Sequence, residues 1–199
     1  MKIGRFVTQL GFSLVGALVL TSVSPSRALA QGHDAHMVMS QHQPQTAEQK
    51  KQANTLVQQV RDATERFRDV RVAESEKYGL LFGCVSGGDY GAMGLHFVNF
   101  PLVVDGKIDA ATPEIVLYEP TSNGRVRITG ADYLVLAADW DKTHTQAPEL
   151  EGQLFHFFEA PNRFGLPPFY TLHVWAWKDN PNGTFTNWNP SVSCDAFNP

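Results

Sequence analysis

Two histidines sit in the middle of apolar, strand-like runs, where an imidazole is costly unless something uses it. His96 lies in Met93-Gly94-Leu95-His96-Phe97-Val98-Asn99, and His173 in Tyr170-Thr171-Leu172-His173-Val174-Trp175. Side chains alternate across a strand, so His96 shares a face with Gly94 and Val98, and His173 with Thr171, Trp175 and Trp177. Glu119 ends a third apolar run, beside Tyr118. Two imidazoles and a carboxylate on neighbouring strands make a three-ligand set with an open position. That set suits zinc or iron, which then activates bound water or substrate. The candidate metal ligands are therefore His96, Glu119 and His173, with Asn99, Tyr118 and Trp175 as candidate ligand-binding neighbours. The same groups would also serve as a metal-free acid–base pair, or each imidazole would simply hydrogen-bond within its own strand. No His-x-His, His-x-x-x-His or His-Glu-x-x-His spacing decides among these.

A second candidate lies near the N-terminus. Lys2 and Arg5, an apolar stretch from Phe6 to Val23, the breakers Ser24-Pro25-Ser26 and then Ala28-Leu29-Ala30 read as a cleavable secretory signal peptide over residues 1–30. The apolar run is marginal for spanning a bilayer, which takes about 20 strongly apolar residues, so no membrane span is expected after cleavage. A cut after Ala30 exposes Gln31-Gly32-His33. A free amine, two deprotonated backbone amides and a third-position imidazole form a square-planar set for copper(II) or nickel(II). His36, Met37, Met39 and His42 follow and suit copper(I) as well. Residues 31–45, polar and rich in His, Gln and Met, read as a flexible arm. They are either a copper-handling segment or a solvated spacer.

The elements that must position the strand histidines follow from periodicity. Thr46-Ala47-Glu48-Gln49 fits a capping box. Ala53, Leu56, Val60, Ala63, Phe67 and Val70 recur at helical spacing, with a break expected near Asp69 and a C-cap at Gly79. Strand-like segments then arrive as a run: 80–85, 92–100, 114–119, 125–129, 133–137, 153–158 and 169–178, with turns between them and a polar loop over 139–152. One helical segment followed by a run of strands predicts an α+β fold. An N-terminal amphipathic helix packs on a curved antiparallel sheet, in a single domain over 46–199, with any ligand held between helix and sheet.

Composition narrows the function classes. Without residues 1–30 the chain has 13 basic and 20 acidic residues, net −7, the wrong sign for a nucleic-acid binder. Its two cysteines, Cys84 and Cys194, are expected to pair in an oxidising compartment; two buried free thiols are the alternative. No Gly-x-Ser-x-Gly elbow or Gly-x-x-x-x-Gly-Lys loop is present, and Ser86-Gly87-Gly88-Asp89 reads as a turn. Ten aromatic residues fall between Phe155 and Trp188. They fill a core on one face, and on the other either extend it or line an apolar or sugar-stacking pocket. Asn182-Gly183-Thr184 is either a glycosylation acceptor or an Asn-Gly turn.

The stretch from Tyr78 to Cys194 resembles a group of exported bacterial proteins of undetermined activity. The shared pattern is Gly91-Ala92-Met93-Gly94-x-His96-x-x-Asn99, then Leu117-Tyr118-Glu119-Pro120, then Leu172-His173-Val174-Trp175-x-Trp177-x-x-Asn180-Pro181-x-Gly183-x-Phe185, and Asn189-Pro190 before Cys194. The resemblance implies a bacterial protein that is periplasmic or secreted, and it carries no catalytic residue over. The expected partner is a small molecule or a metal ion: zinc or iron in the body, copper in the arm.

Overall fold

The computed structural model describes residues 45–198. The expected signal peptide (1–30) and all six arm candidates, Gln31, His33, His36, Met37, Met39 and His42, lie outside those residues. The described chain opens with helix α1 (Ala47–Thr64), started by the capping box, with Thr46 and Gln49 bonding to each other's backbone N–H. A 3₁₀ turn (Glu65–Arg68) follows, and the Asp69 carboxylate then caps a short helix α2 (Val70–Ser75). Gly79 is not a helix cap. The chain reverses at Lys77, at positive φ, and Gly79 is already the first residue of a strand.

Six strands form one antiparallel sheet: β1 (Gly79–Ser86), β2 (Ala92–Val98), β3 (Ile115–Pro120), β4 (Val126–Leu136), then β8 (Phe169–Val174) and β7 (His156–Phe158), in the order β1-β2-β3-β4-β8-β7. A two-stranded ribbon, β5 (Glu149–Leu150) with β6 (Gln153–Leu154), lies between α4 (Ala137–Trp140) and β7. A further short helix, α3 (Phe100–Val103), follows β2. The fold is thus α+β, a helix on a curled antiparallel half-barrel.

Alternation along the strands divides the sheet into two faces. One carries Leu95, Val116, Tyr118, Ala131, Tyr133, Leu172 and Val174, and packs against Leu56, Val60 and Phe67 of the helical segment. Trp177 fastens the same join, its indole N–H donating to Thr64 at 2.9 Å. The other face carries Val98, Ile115, Leu117 and Leu134 in a separate cluster with Phe169.

Two strands differ from expectation. The segments 125–129 and 133–137 are one continuous strand, β4, of 11 residues. Gly130 is not a turn; a Cβ there would lie 2.1 Å from the Val174 carbonyl oxygen, so glycine admits the close approach of β8. The segment 153–158 breaks at Phe155, which turns into the helix-side core. Cys84 and Cys194 form a disulfide with Cα atoms 5.7 Å apart, tying the C-terminal tail to β1. Among the described residues no helix is long and apolar enough to cross a membrane.

Candidate metal centre

His96 on β2 and His173 on β8 are separated by β3 and β4. In a flat sheet three strand spacings put their backbones about 14 Å apart. Their ring centroids are 5.8 Å apart, edge to face. The curl of the half-barrel closes that gap, which places both rings on its concave side. Register supplies the third group: Asp132 on β4 is the direct cross-strand partner of His173, so both point to one face. One ligand atom from each of His96, Asp132 and His173 lies within 4.8 Å of the others, and all three residues are buried. Two metal–ligand bonds of about 2.1 Å span at most about 4.2 Å, so small side-chain rotations bring the trio to ligating distance.

Local chemistry fixes the orientation of two of the three. The His96 Nδ1 lies 3.2 Å from the Gly94 carbonyl oxygen, which can only accept, so Nδ1 carries the proton and Nε2 keeps its lone pair. Gly94 is at φ +89°, and a Cβ there would meet the Tyr118 carbonyl oxygen at 2.4 Å. The same kink breaks alternation, which is why Met93 and His96, three residues apart, line one cavity. The Thr171 hydroxyl donates to Asp132 Oδ1 and holds that carboxylate. His173 has no such tether. Its Nδ1 is 3.3 Å from Asp132 Oδ1 but outside hydrogen-bonding geometry, and both ring nitrogens are buried with no hydrogen-bond partner among the described residues. A buried imidazole left unsatisfied costs about 1–3 kcal/mol per polar group. A metal ion at one ring nitrogen is a partner that would satisfy it.

Electrostatics agree. Burial pushes His96 down to about 4, outweighing the Gly94 bond, and drives His173 well below the ordinary histidine range, with repulsion from His96 adding to it. Both rings are therefore neutral, the ligating form. Burial lifts Asp132 to about 7 against the opposing Thr171 and Leu172 bonds, and among the described residues no Lys or Arg pairs with it.

The trio borders a cavity of about 20 Å³, with Thr171 on its polar side and Phe82, Met93, Ile115, Leu134, Phe158, Phe164, Leu166 and Phe169 around the rest. That space holds one or two water-sized groups.

No protein-family model, curated protein or solved structure matches the chain.

Of the body residues expected at a site, the structure brings together His96 and His173 and supplies Asp132 in place of Glu119. Glu119 is buried, but its carboxylate is taken by Arg127 (2.6 Å from Nε) and Lys178 (2.5 Å). A carboxylate already neutralised by two cations has no charge to offer a metal. Tyr118 faces the helix, its hydroxyl donating to the Phe67 carbonyl at 2.7 Å. Asn99, just past the end of β2, donates its side-chain amide to the Glu76 carbonyl. Trp175 packs with Ala92 and Val192, its ring 6.3 Å from His173, and borders the centre from outside the cavity. The site also does not lie between helix and sheet; it is on the opposite face. His156, half-buried on β7, bonds to the Phe185 backbone, and His144 stacks on Trp140 at the surface.

Proposed function

We propose that this is an exported metal-binding protein that holds one divalent transition ion through His96, Asp132 and His173, with at least one coordination position left open. The single observation that carries the reading is the convergence of two neutral imidazoles and an unpaired carboxylate, all buried, on one small cavity. Two nitrogens and one carboxylate oxygen suit zinc, with water in the fourth position, and equally the facial set typical of non-haem iron(II); copper(II) would need a more planar arrangement. A bound ion supplies a Lewis acid and lowers the pKa of a water bound to it. The cavity volume argues against a sugar or a large apolar guest on this face. Export is supported by the leader-like residues 1–30 and by the disulfide, which belongs in oxidising surroundings.

The test is metal content and metal-dependent stability of protein recovered from the exported fraction. One ion per chain, retained when residues 31–45 are deleted and lost in His173→Ala, is the expected result. An ion at 100 times its Kd would add about 2.7 kcal/mol of stability in the parent and none in the variant. Metal that leaves with the 31–45 segment alone, or no metal in any form, overturns the reading.

A further inference from the structure

The wall between the centre and solvent is built in an unusual way. Eight of the twelve cavity-lining residues are buried; the four that reach the surface are Phe82, Phe158, Phe164 and Leu166, all apolar. Phe82 and Phe164 meet edge to face with ring centroids 5.4 Å apart. They come from elements at the two ends of the sheet order. Phe82 belongs to edge strand β1, and Phe164 to the connection between β7 and β8.

Phe82 reaches that position through a bulge. Leu81 pairs with His96 and Cys84 with Leu95, so Phe82 and Gly83 are two extra residues on β1. Both are at positive φ, 68° and 64°. A phenylalanine there is held against its preference, and bulges of this kind re-aim side chains next to functional sites. The disulfide at Cys84 anchors the bulge on one side. Across the gap, Arg163 donates to the Ser86 carbonyl at 3.0 Å, fastening the β7–β8 connection to β1.

From this we infer that Phe82 and Phe164 form a size-selective gate. The open position of the metal then takes only a ligand of one or two heavy atoms, of the class of water, dioxygen or peroxide. Larger carboxylates, sugars and heterocycles are excluded. The inference rests on the metal-centre reading. The volume carries the size limit, since about 20 Å³ leaves no room for a ring beside the ion. The apolar rim carries the rest, since every cavity-lining residue that reaches the surface is apolar.

The experiment uses protein loaded anaerobically with iron(II), its stoichiometry measured first. Failure to load removes the metal-centre reading itself; the gate is judged only on loaded protein. Nitric oxide, a diatomic probe, should give a nitrosyl EPR signal that excess imidazole leaves unchanged. In Phe164→Ala, and independently in Phe82→Ala, imidazole should gain access and suppress that signal about tenfold more effectively than in the parent, the scale on which pocket shape discriminates. Loaded parent protein that gives no nitrosyl signal, or that imidazole blocks as readily as it blocks the variants, overturns the gate.

Discussion

The helix-side tyrosines and the concave-side His173 are buried in different ways. On the helix side three tyrosines are buried, and each hydroxyl donates to a backbone carbonyl: Tyr78 to Pro113, Tyr118 to Phe67 and Tyr133 to Ala110, all within 2.8 Å. On the concave side His173 has neither ring nitrogen satisfied. Two of the buried carboxylates, Glu119 and Asp132, also differ in their partners. Glu119 sits between Arg127 and Lys178, while Asp132 has a hydroxyl and no cation. The unsatisfied His173 nitrogens are the polar groups that the proposed ion would account for. Buried polarity that is satisfied locally serves stability, and buried polarity that converges without partners serves a ligand.

The largest expected effect separates the two carboxylates. Asp132→Asn should weaken metal binding by more than about 100-fold, beyond what losing an outer-shell partner costs. In the metal-free protein the sign reverses. Asp132 is raised to about 7, so above that pH the native state carries an uncompensated buried charge. There the variant should unfold at higher urea than the parent. Glu119→Gln should do the opposite, leaving metal affinity intact and costing about 1.5–3 kcal/mol, since hydrogen bonds to a charged group are lost. Equal effects of the two substitutions on metal affinity would erase the distinction drawn between them.

A smaller effect probes the helix face alone. Tyr118→Phe leaves the Phe67 carbonyl without its donor and should cost about 1–2 kcal/mol by urea denaturation, with metal affinity unchanged. A loss of metal there would mean the two faces are coupled.

A last effect is a pH slope. Glu114 is buried, accepts one backbone N–H from Leu134 at 3.0 Å and is raised by burial to about 8. Its ordinary value is 4.5, so between those two values the native state keeps a proton that the unfolded chain has lost. Stability is therefore fully present below the lower value and falls as pH rises through the higher one, by up to about 1.4 kcal/mol per pH unit. Glu114→Gln should flatten that slope in metal-free protein. Denaturation midpoints across the range, unchanged by the substitution, would contradict the assignment.

Much of the scaffold was legible in the residues, because local rules set it. The capping box at Thr46, the helical spacing through Phe67 and the antiparallel run of strands all depend on near neighbours. His96 and His173 were legible as mid-strand imidazoles for the same reason. Asp132 was not. The runs 125–129 and 133–137 read as two strands, which cuts β4 in two and leaves Asp132 between them. Its real signal is a lone acid inside the apolar run from Ile128 to Leu136, and that reads only once the strand is continuous. Glu119 drew attention as a strand-end acid beside Tyr118. Its neutralisation by Lys178 depends on a contact 59 residues away that no local pattern encodes. The curl that brings β2 to β8, and the bulge that aims Phe82, are likewise properties of the whole sheet.

The most direct test of the central claim is anomalous diffraction from crystals of zinc-loaded protein. One peak is expected on the concave face, about 2.0–2.2 Å from His96 Nε2, from a ring nitrogen of His173 and from a carboxylate oxygen of Asp132. Zinc bound elsewhere on the chain, with no peak among those three residues, would contradict it.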